Sequence, residues 1–374
     1  MPLIRFFSDP HEGKVLKSNT TPASRALLAE QIHLYAMQAA TFPTAGDRPV
    51  AATICAGDLF DTHTNQERVL LDAAEVASHC DFVLGGNHDV VNIAGQESSL
   101  SAIAKLTARH TVAAEDETFI LPPEPGQVKW FEHNYPGVAL IFIPHHARQE
   151  EFERAIGEMK VEIDSRDWPV DQRKVLVLHC NYDQQIGLGP NDLNLTEAKA
   201  RWLLQWFDYI VLGHDHRPRL ECDGRLIILG STHPTSFSDL GEKRVWFYDT
   251  DSNTWEWAVN AADASIRIPV DKLLEDHRLE RLSRYQDAEW IDIEGDLPPE
   301  GAVDLAKAIR ALWKQVPYAY AIRASKVRII APGLAAGVSM DAQQKNLIQI
   351  IAEDLEANHP DLLDLFEEAS TKDE

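Results

Sequence analysis

Five short apolar runs in the first 216 residues each end abruptly in a polar cluster. "LIRFF" runs into Ser8, Asp9, Pro10 and His11, and "ATICA" into Gly57, Asp58, Leu59, Phe60 and Asp61. "DFVL" runs into Gly85, Gly86, Asn87, His88 and Asp89, "KVLVL" into His179, and "YIVL" into Gly213, His214, Asp215 and His216. A turn explains the glycines, which take positive φ at no steric cost, but not the repeated choice of Asp, Asn and His. Amphipathic helical stretches separate the runs, at residues 23–41, 65–79, 149–160 and 196–207, which is an α/β pattern. In an α/β sheet ligands bind just beyond the carboxyl ends of the strands, so all five clusters can converge on one crevice.

The donor types narrow the chemistry. Asp9, His11, Asp58, Asn87, His179, His214 and His216 offer carboxylate, amide oxygen and imidazole nitrogen, with no thiolate. That mixture suits hard to borderline divalent ions, manganese first, with magnesium, iron or zinc behind it. Seven ligands are too many for one tetrahedral centre, and two ions sharing one carboxylate are the simpler arrangement. His88 is the motif residue not needed as a ligand, and an imidazole there can stabilise a transition state or protonate a leaving oxygen. Asp89 is expected to orient His88 from behind, or to serve as a helix N-cap after the strand.

After Leu220 the rhythm changes to aromatic-rich strands, "RLIILGS", "KRVWFYDT" and "TWEWAVN", with "DTDSNT" as a hairpin turn. Trp246, Trp255 and Trp257 fall at strand spacing and read as packing rather than base-stacking residues. A chain of 374 residues, 44% hydrophobic, exceeds what one core comfortably organises, so two domains are expected, residues 1–268 and 269–374. The second holds a strand "EWIDIE", a helix over 302–316, a strand "AYAIRASKVRII" and an acidic helical tail. The net charge of −24 argues against a broad basic surface that grips nucleic acid. Cys55, Cys80, Cys180 and Cys222 are too scattered for a zinc knuckle or a disulfide framework and read as reduced core thiols. With no leader-like start and no long apolar run, the expectation is a soluble cytoplasmic protein.

The five clusters resemble the motifs of the calcineurin-like metallophosphoesterase superfamily, D-x-H, G-D-x-x-D, G-N-H-D, H and G-H-x-H. The resemblance implies a β-sandwich of two mixed sheets flanked by helices. It also implies one ion on Asp9, His11, Asp58 and His216 and another on Asp58, Asn87, His179 and His214, with Asp58 as the bridge. Within the superfamily, "GDLFDT" and "GHDHRPRLECDGRLIILGSTHPTSFSD" are similar to the Mre11/SbcD nucleases, and the C-terminal elements to the small α+β capping domain of SbcD. This implies a manganese-dependent DNA exonuclease on double strands and endonuclease on single strands. It further implies a homodimer working in DNA repair or recombination with a Rad50/SbcC-like ATPase. The acid-ringed apolar cluster Leu362, Leu363, Leu365 and Phe366 in the tail either caps the smaller domain or docks on that ATPase. Arg217 and Arg219 are candidate contacts to substrate phosphates, or ordinary solvated charge. His145 and His146 either line the cleft or belong to surface or core. The motif "DPHEG" places Glu12 where the family carries an apolar residue, which sets an extra negative charge near the metals or the DNA path. The acidic balance would better suit a competing reading, a metallophosphoesterase for a small phosphodiester such as a cyclic nucleotide, or for a phosphoprotein. A binding subunit with a degenerate site is disfavoured by the complete ligand set.

Overall fold

The computed structural model describes residues 3–89, 97–107, 119–121, 128–184, 192–262 and 264–330. They form two compact units: the described residues within 1–14 and 29–262, and those within 15–28 and 264–330.

In the larger unit the strands are β1 (Leu3–Phe7), β2 (Val50–Cys55), β3 (Phe82–Leu84), β4 (Phe119–Leu121), β5 (Phe131–Tyr135), β6 (Val138–Ile143) and β7 (Arg173–His179). They continue with β8 (Asn181–Tyr182), β9 (Asn194–Leu195), β10 (Tyr209–Gly213), β11 (Arg219–Glu221), β12 (Leu226–Ile228), β13 (Lys243–Asp249) and β14 (Thr254–Ala261). Two six-stranded mixed sheets result, in the orders β14-β13-β1-β2-β3-β4 and β11-β12-β10-β7-β6-β5. Within them β1, β2, β3 and β4 run parallel, as do β6, β7, β10 and β12.

The apolar runs do not alternate with polar residues because both faces of each sheet are covered. Successive side chains of a strand point to opposite faces. Thus Ile4 and Phe6 of β1 meet Leu140, Phe142, Val175, Val177 and Val211 of the other sheet in a central layer. Leu3 and Phe7 face outward onto Ala36 of α1 (Pro22–Thr41), Ala73 and Val76 of α2 (Glu67–Ser78) and Leu100 of α3 (Ser99–Thr107). On the far side, Ile141, Leu176 and Leu178 pack against Phe152, Ile156 and Met159 of α4 (Gln149–Asp164) and Leu203 of α5 (Glu197–Leu203). Burying a large aliphatic side chain is worth about 1.5–3 kcal/mol, so these layers hold the strand ends firmly in place. The fold class expected from the sequence is the one observed. α5 is shorter than the expected 196–207, its amide-rich start capped by the Thr196 hydroxyl.

Trp246 is buried, with its indole N–H donating to the Leu229 carbonyl at 3.0 Å, and Trp255 packs at the edge of the central layer; Trp257 is about half exposed. All four cysteines are buried free thiols. No helix among the described residues is long and apolar enough to cross a membrane.

Among the described residues the smaller unit has three parallel strands, β15 (Ser265–Pro269), β16 (Trp290–Leu297) and β17 (Ala321–Ile329), in that spatial order. α6 (Val270–Arg278) and α7 (Ala302–Trp313) supply the crossovers, and Leu273, Leu305 and Leu312 pack on Ile291 and Ile293. The acidic tail with its proposed docking cluster lies outside the described residues.

Candidate metal centre

The two parallel strand sets deliver their carboxyl ends to one place. β1 hands over to Asp9 and His11, β2 to Asp58, and β3 to Asn87 and His88, all from one sheet. β7 ends on His179 and β10 leads into His214 and His216, from the other. Asp9, His11, Asp58 and His214 have φ of 54°, 52°, 50° and 91°, the left-handed region that side chains other than glycine's rarely adopt. Glycines clear the remaining space: a Cβ on Gly57 would lie 2.1 Å from His179 Nδ1, and one on Gly86 would lie 2.1 Å from Asp58 Oδ1.

Side chains from the two sheets interlock across the seam. The Asp58 carboxylate lies 3.3 Å from His179 Nε2 and 3.9 Å from His11 Nε2. His11 Nε2 and His216 Nε2 face one another at 2.9 Å. Asn87 Oδ1 lies 3.0 Å from His179 Nε2 and 2.8 Å from His214 Nδ1. The Asp9 carboxylate accepts the His214 backbone N–H at 3.0 Å, tying the first loop to the last. Three compact donor groups result: Asp9, His11 and His216; His11, Asp58 and His88; and Asp58, His179 and His214. Asp58 thus belongs to two of them, and all seven residues singled out as ligands meet at this seam.

The donor set fits divalent cations. Nitrogen and oxygen lone pairs converge, buried, with carboxylates to balance charge, and several imidazoles are aimed by a partner on the opposite nitrogen. His179 Nδ1 donates to the Ala56 carbonyl at 2.9 Å, which turns Nε2 toward the seam and the Asp58 carboxylate. His216 Nδ1 faces Asp239 Oδ2 at 2.9 Å, and its Nε2 likewise faces inward. Such outer partners fix the tautomer and orientation of a ligating imidazole. The electrostatics agree. Burial alone would raise the Asp58 carboxyl, yet His179, His11 and His88 outweigh it and hold it well below the usual range. Burial works against charge on His179 too, but Asp58 and Asp9 push that imidazole up to about 9. His11 is driven well down by burial and by His216 beside it.

His88 sits beside these groups, its ring 4.9 Å from that of His11, and its Nδ1 donates to the Asp61 carbonyl at 2.6 Å. The partner that orients His88 is therefore the main chain of Asp61 and not Asp89; the other role expected of Asp89, a helix N-cap, falls on residues outside the described ones. The Asp89 carboxylate accepts instead from the Gly86 and Phe60 amides, at 2.8 and 3.2 Å, and braces two of the ligand loops. Burial and the neighbouring Asp58 push it up to about 7. Glu12 is also corrected. It is buried away from solvent, its Oε1 3.1 Å from His33 Nδ1 on α1, because the loop after β1 folds back under that helix. Arg219 is engaged by Asp215 and Glu221 at 2.6 and 3.0 Å, and Arg217 donates to the Ser238 carbonyl at 2.6 Å. His145 is buried 6.4 Å from the His179 ring, and His146 Nδ1 donates to the Pro144 carbonyl at 2.8 Å.

Asp239 and Lys243 escaped the sequence reading. The Lys243 ammonium is buried and donates to the His216 carbonyl at 2.8 Å. The available signal was a lone Asp closing the Ser/Thr-rich "STHPTSFSD", a composition that favours side-chain-to-backbone turns.

The family model for calcineurin-like phosphoesterases matches residues 3–218, the stretch that carries every one of the converging ligands. The chain belongs to the calcineurin-like phosphoesterase family. No curated protein matches it in sequence. Among solved structures it is similar to the calcineurin-like phosphoesterase YfkN from Bacillus subtilis, at 11% identity and a TM-score of 0.33 over 69% of this chain and 90% of that one. It is also similar to a putative 5'-nucleotidase from Staphylococcus aureus, at 14% identity and a TM-score of 0.39 over 76% of this chain and 58% of that one. This family member carries the donor groups of a divalent-metal-dependent phosphoesterase.

Proposed function

We propose that the protein hydrolyses phosphodiesters, or the phosphoester of a small or protein-borne substrate, with two divalent cations, manganese first, held by Asp9, His11, Asp58 and His216 and by Asp58, Asn87, His179 and His214. The observation that carries this is the placement of one carboxylate, Asp58, within two donor groups, one with His11 and His88 from its own sheet and one with His179 and His214 from the other. When bound, a pair of cations lowers the pKa of a water and draws charge from the phosphoryl oxygens. His88, held through Nδ1 by the Asp61 carbonyl, keeps Nε2 free to stabilise the transition state or to carry the proton to the leaving oxygen. The crowded glycines at positions 57 and 86 keep the ligand loops closed on one another.

The acidic surface favours a compact substrate over duplex DNA. A net charge of −24 opposes a polyanion whose affinity comes largely from neutralised phosphates, and Arg217 and Arg219 are already engaged by protein groups. The second reading is a nuclease of the Mre11/SbcD kind, with a Rad50/SbcC-like ATPase and a second copy as partners, and the sequence from Gly213 to Asp239 supports it. In that reading the partner supplies the missing positive charge. The experiment is a direct competition in manganese: hydrolysis of bis(p-nitrophenyl) phosphate, cyclic nucleotides and a phosphopeptide against nucleotide release from labelled duplex DNA, with and without the ATPase. Turnover of the small esters with inert DNA supports the first reading, DNA degradation supports the second, and inactivity on every substrate overturns both.

A further inference from the structure

The histidines of the metal centre are not braced alike. His179 Nδ1 and His88 Nδ1 rest on neutral main-chain carbonyls, of Ala56 and Asp61. His216 Nδ1 rests on a carboxylate, Asp239 Oδ2, at 2.9 Å. His11 Nδ1 also faces a carboxylate, Asp61 Oδ1, but at 3.5 Å, and that oxygen is taken by Lys14 at 2.8 Å.

Asp239 is itself closely fixed. Its Oδ1 accepts from the Ser236 amide at 2.7 Å, and its Oδ2 from the Thr235 amide at 3.0 Å and the Thr235 hydroxyl at 2.8 Å. The Lys243 ammonium lies 3.8 Å from Oδ2 while donating to the His216 carbonyl. One buried Asp–Lys pair therefore grips His216 twice, by the ring through Asp239 and by the main chain through Lys243. An oxygen that can only accept forces the proton of a neutral imidazole onto Nδ1 and leaves Nε2 bare, 2.9 Å from His11 Nε2 and 3.8 Å from Asp9.

We propose that Asp239 is a positioning residue that fixes His216 in the Nδ1–H tautomer, and that with Lys243 it sets the affinity of the cation site built on Asp9, His11 and His216 independently of the site built on Asp58, His179 and His214. This deepens the proposed function and rests on its assignment of His216 as a ligand. The charge pattern points the same way. The first site contains Asp9 besides the shared Asp58, whereas the second has neutral donors beside Asp58. The two ions therefore bind unequally, the His216 site first.

The test needs no substrate. Nitrogen-15 spectra of the histidine rings in metal-free wild-type protein, at a pH where His216 is neutral, should show the proton on Nδ1; a proton on Nε2 overturns the proposal without any variant. Asp239→Asn keeps an acceptor for the Ser236 amide but presents an N–H₂ to His216, which should move the ring proton to Nε2. Calorimetric manganese titration of the wild-type chain should show two steps. In Asp239→Asn the tighter step should weaken by about 10–100-fold, the usual effect of removing such a partner, with the weaker step unchanged. Lys243→Met, which leaves the carboxylate in place, should weaken the same step by less. Equal losses at both steps, or no loss at either, overturn the proposal, as does an Asp239→Asn protein that keeps the Nδ1 proton. If the titration divides as expected while every phosphoester is inert, the proposed function fails and the positioning role stands.

Discussion

Replacing Asp58 by Asn is the sharpest probe of the metal centre, because this carboxylate is the point at which two donor groups overlap. Its Oδ2 lies 3.3 Å from His179 Nε2 and 3.9 Å from His11 Nε2, while Oδ1 accepts the His88 amide at 2.9 Å. Asn keeps that last bond and nearly the same shape, so the change is one of charge. Without it, the group with His179 and His214 retains only neutral donors, and the proposed ion site on Asp9, His11 and His216 retains Asp9 as its one carboxylate. An ion that binds only the folded state stabilises it by about 2.7 kcal/mol at one hundred times its dissociation constant, so two ions contribute about 5 kcal/mol. For a unit of this size each kcal/mol moves the melting temperature by about 2–4 °C, which predicts a manganese-induced rise of roughly 10–20 °C in the wild type. In Asp58→Asn the rise should shrink to a few degrees. Calorimetry with and without manganese gives the rise, and elemental analysis of dialysed protein gives the ions bound per chain. Two ions at full occupancy with an undiminished rise would refute the shared role of Asp58. Loss of one ion alone would confine it to a single site.

Further outcomes follow from the same geometry. His88→Ala should keep both ions, since it is not among the seven ligands, and should lose turnover by about 10²–10⁴-fold, measured as kcat on an activated phosphodiester. The metal-free protein should lose stability as pH rises from about 6.5 to about 9. The His179 imidazole, raised to about 9 against burial by Asp58, holds its proton more tightly folded than unfolded, so its contribution is complete below 6.5 and gone above 9. Saturating manganese should flatten that slope in denaturant titrations, because a cation takes the proton's place. Glu12→Leu should destabilise the larger unit by about 1–3 kcal/mol through the half-buried His33 left behind, and should not alter substrate affinity. Adding His33→Leu should recover most of that loss in a double-mutant cycle, and a tighter substrate affinity in Glu12→Leu would show that the charge faces the substrate after all.

The ligands were legible because each sits at a chemically abrupt strand end, and the rule that parallel strands present ligands at their carboxyl ends needs only the order of the runs. What the sequence hid depends on partners far along the chain. Asp239 follows His216 by 23 residues in a stretch with no hydrophobic period to anchor a reading, and its role appears only once the chain turns back on itself. Glu12 directly follows the ligand residue His11, which suggested a charge in the cleft, yet α1 supplies His33 from 21 residues away. Asp89 stands next to His88, but adjacent residues on a tight turn project in different directions. Its oxygens fall on the Gly86 and Phe60 amides, while His88 swings to the Asp61 carbonyl.

The left-handed backbone at Asp9, His11, Asp58 and His214 links the core to the chemistry. A non-glycine residue held in such a sparsely populated region costs about 1–3 kcal/mol, so four of them amount to several kcal/mol stored at one seam. Strain of that size persists only where the surroundings over-determine the backbone. Here the flanking strands are buried on both faces, and the loops are pinned by bonds such as Asp9 N–H to the Gly57 carbonyl at 3.0 Å and His11 N–H to the Asp58 carbonyl at 3.1 Å. Sharp reversals right after β1, β2 and β10 let side chains from two sheets reach the same few ångströms without loops long enough to wander. Replacing Asp9 by Gly would relieve one strained residue but delete a ligand, whereas Pro10→Gly would spare every ligand and loosen the D-x-H turn between two of them. Pro10→Gly should therefore weaken manganese binding at the His11 site while leaving the site of His179 and His214 unchanged. Two unaltered steps in a manganese titration of that variant would show that the first loop is held by its hydrogen bonds alone and owes nothing to the rigidity of Pro10.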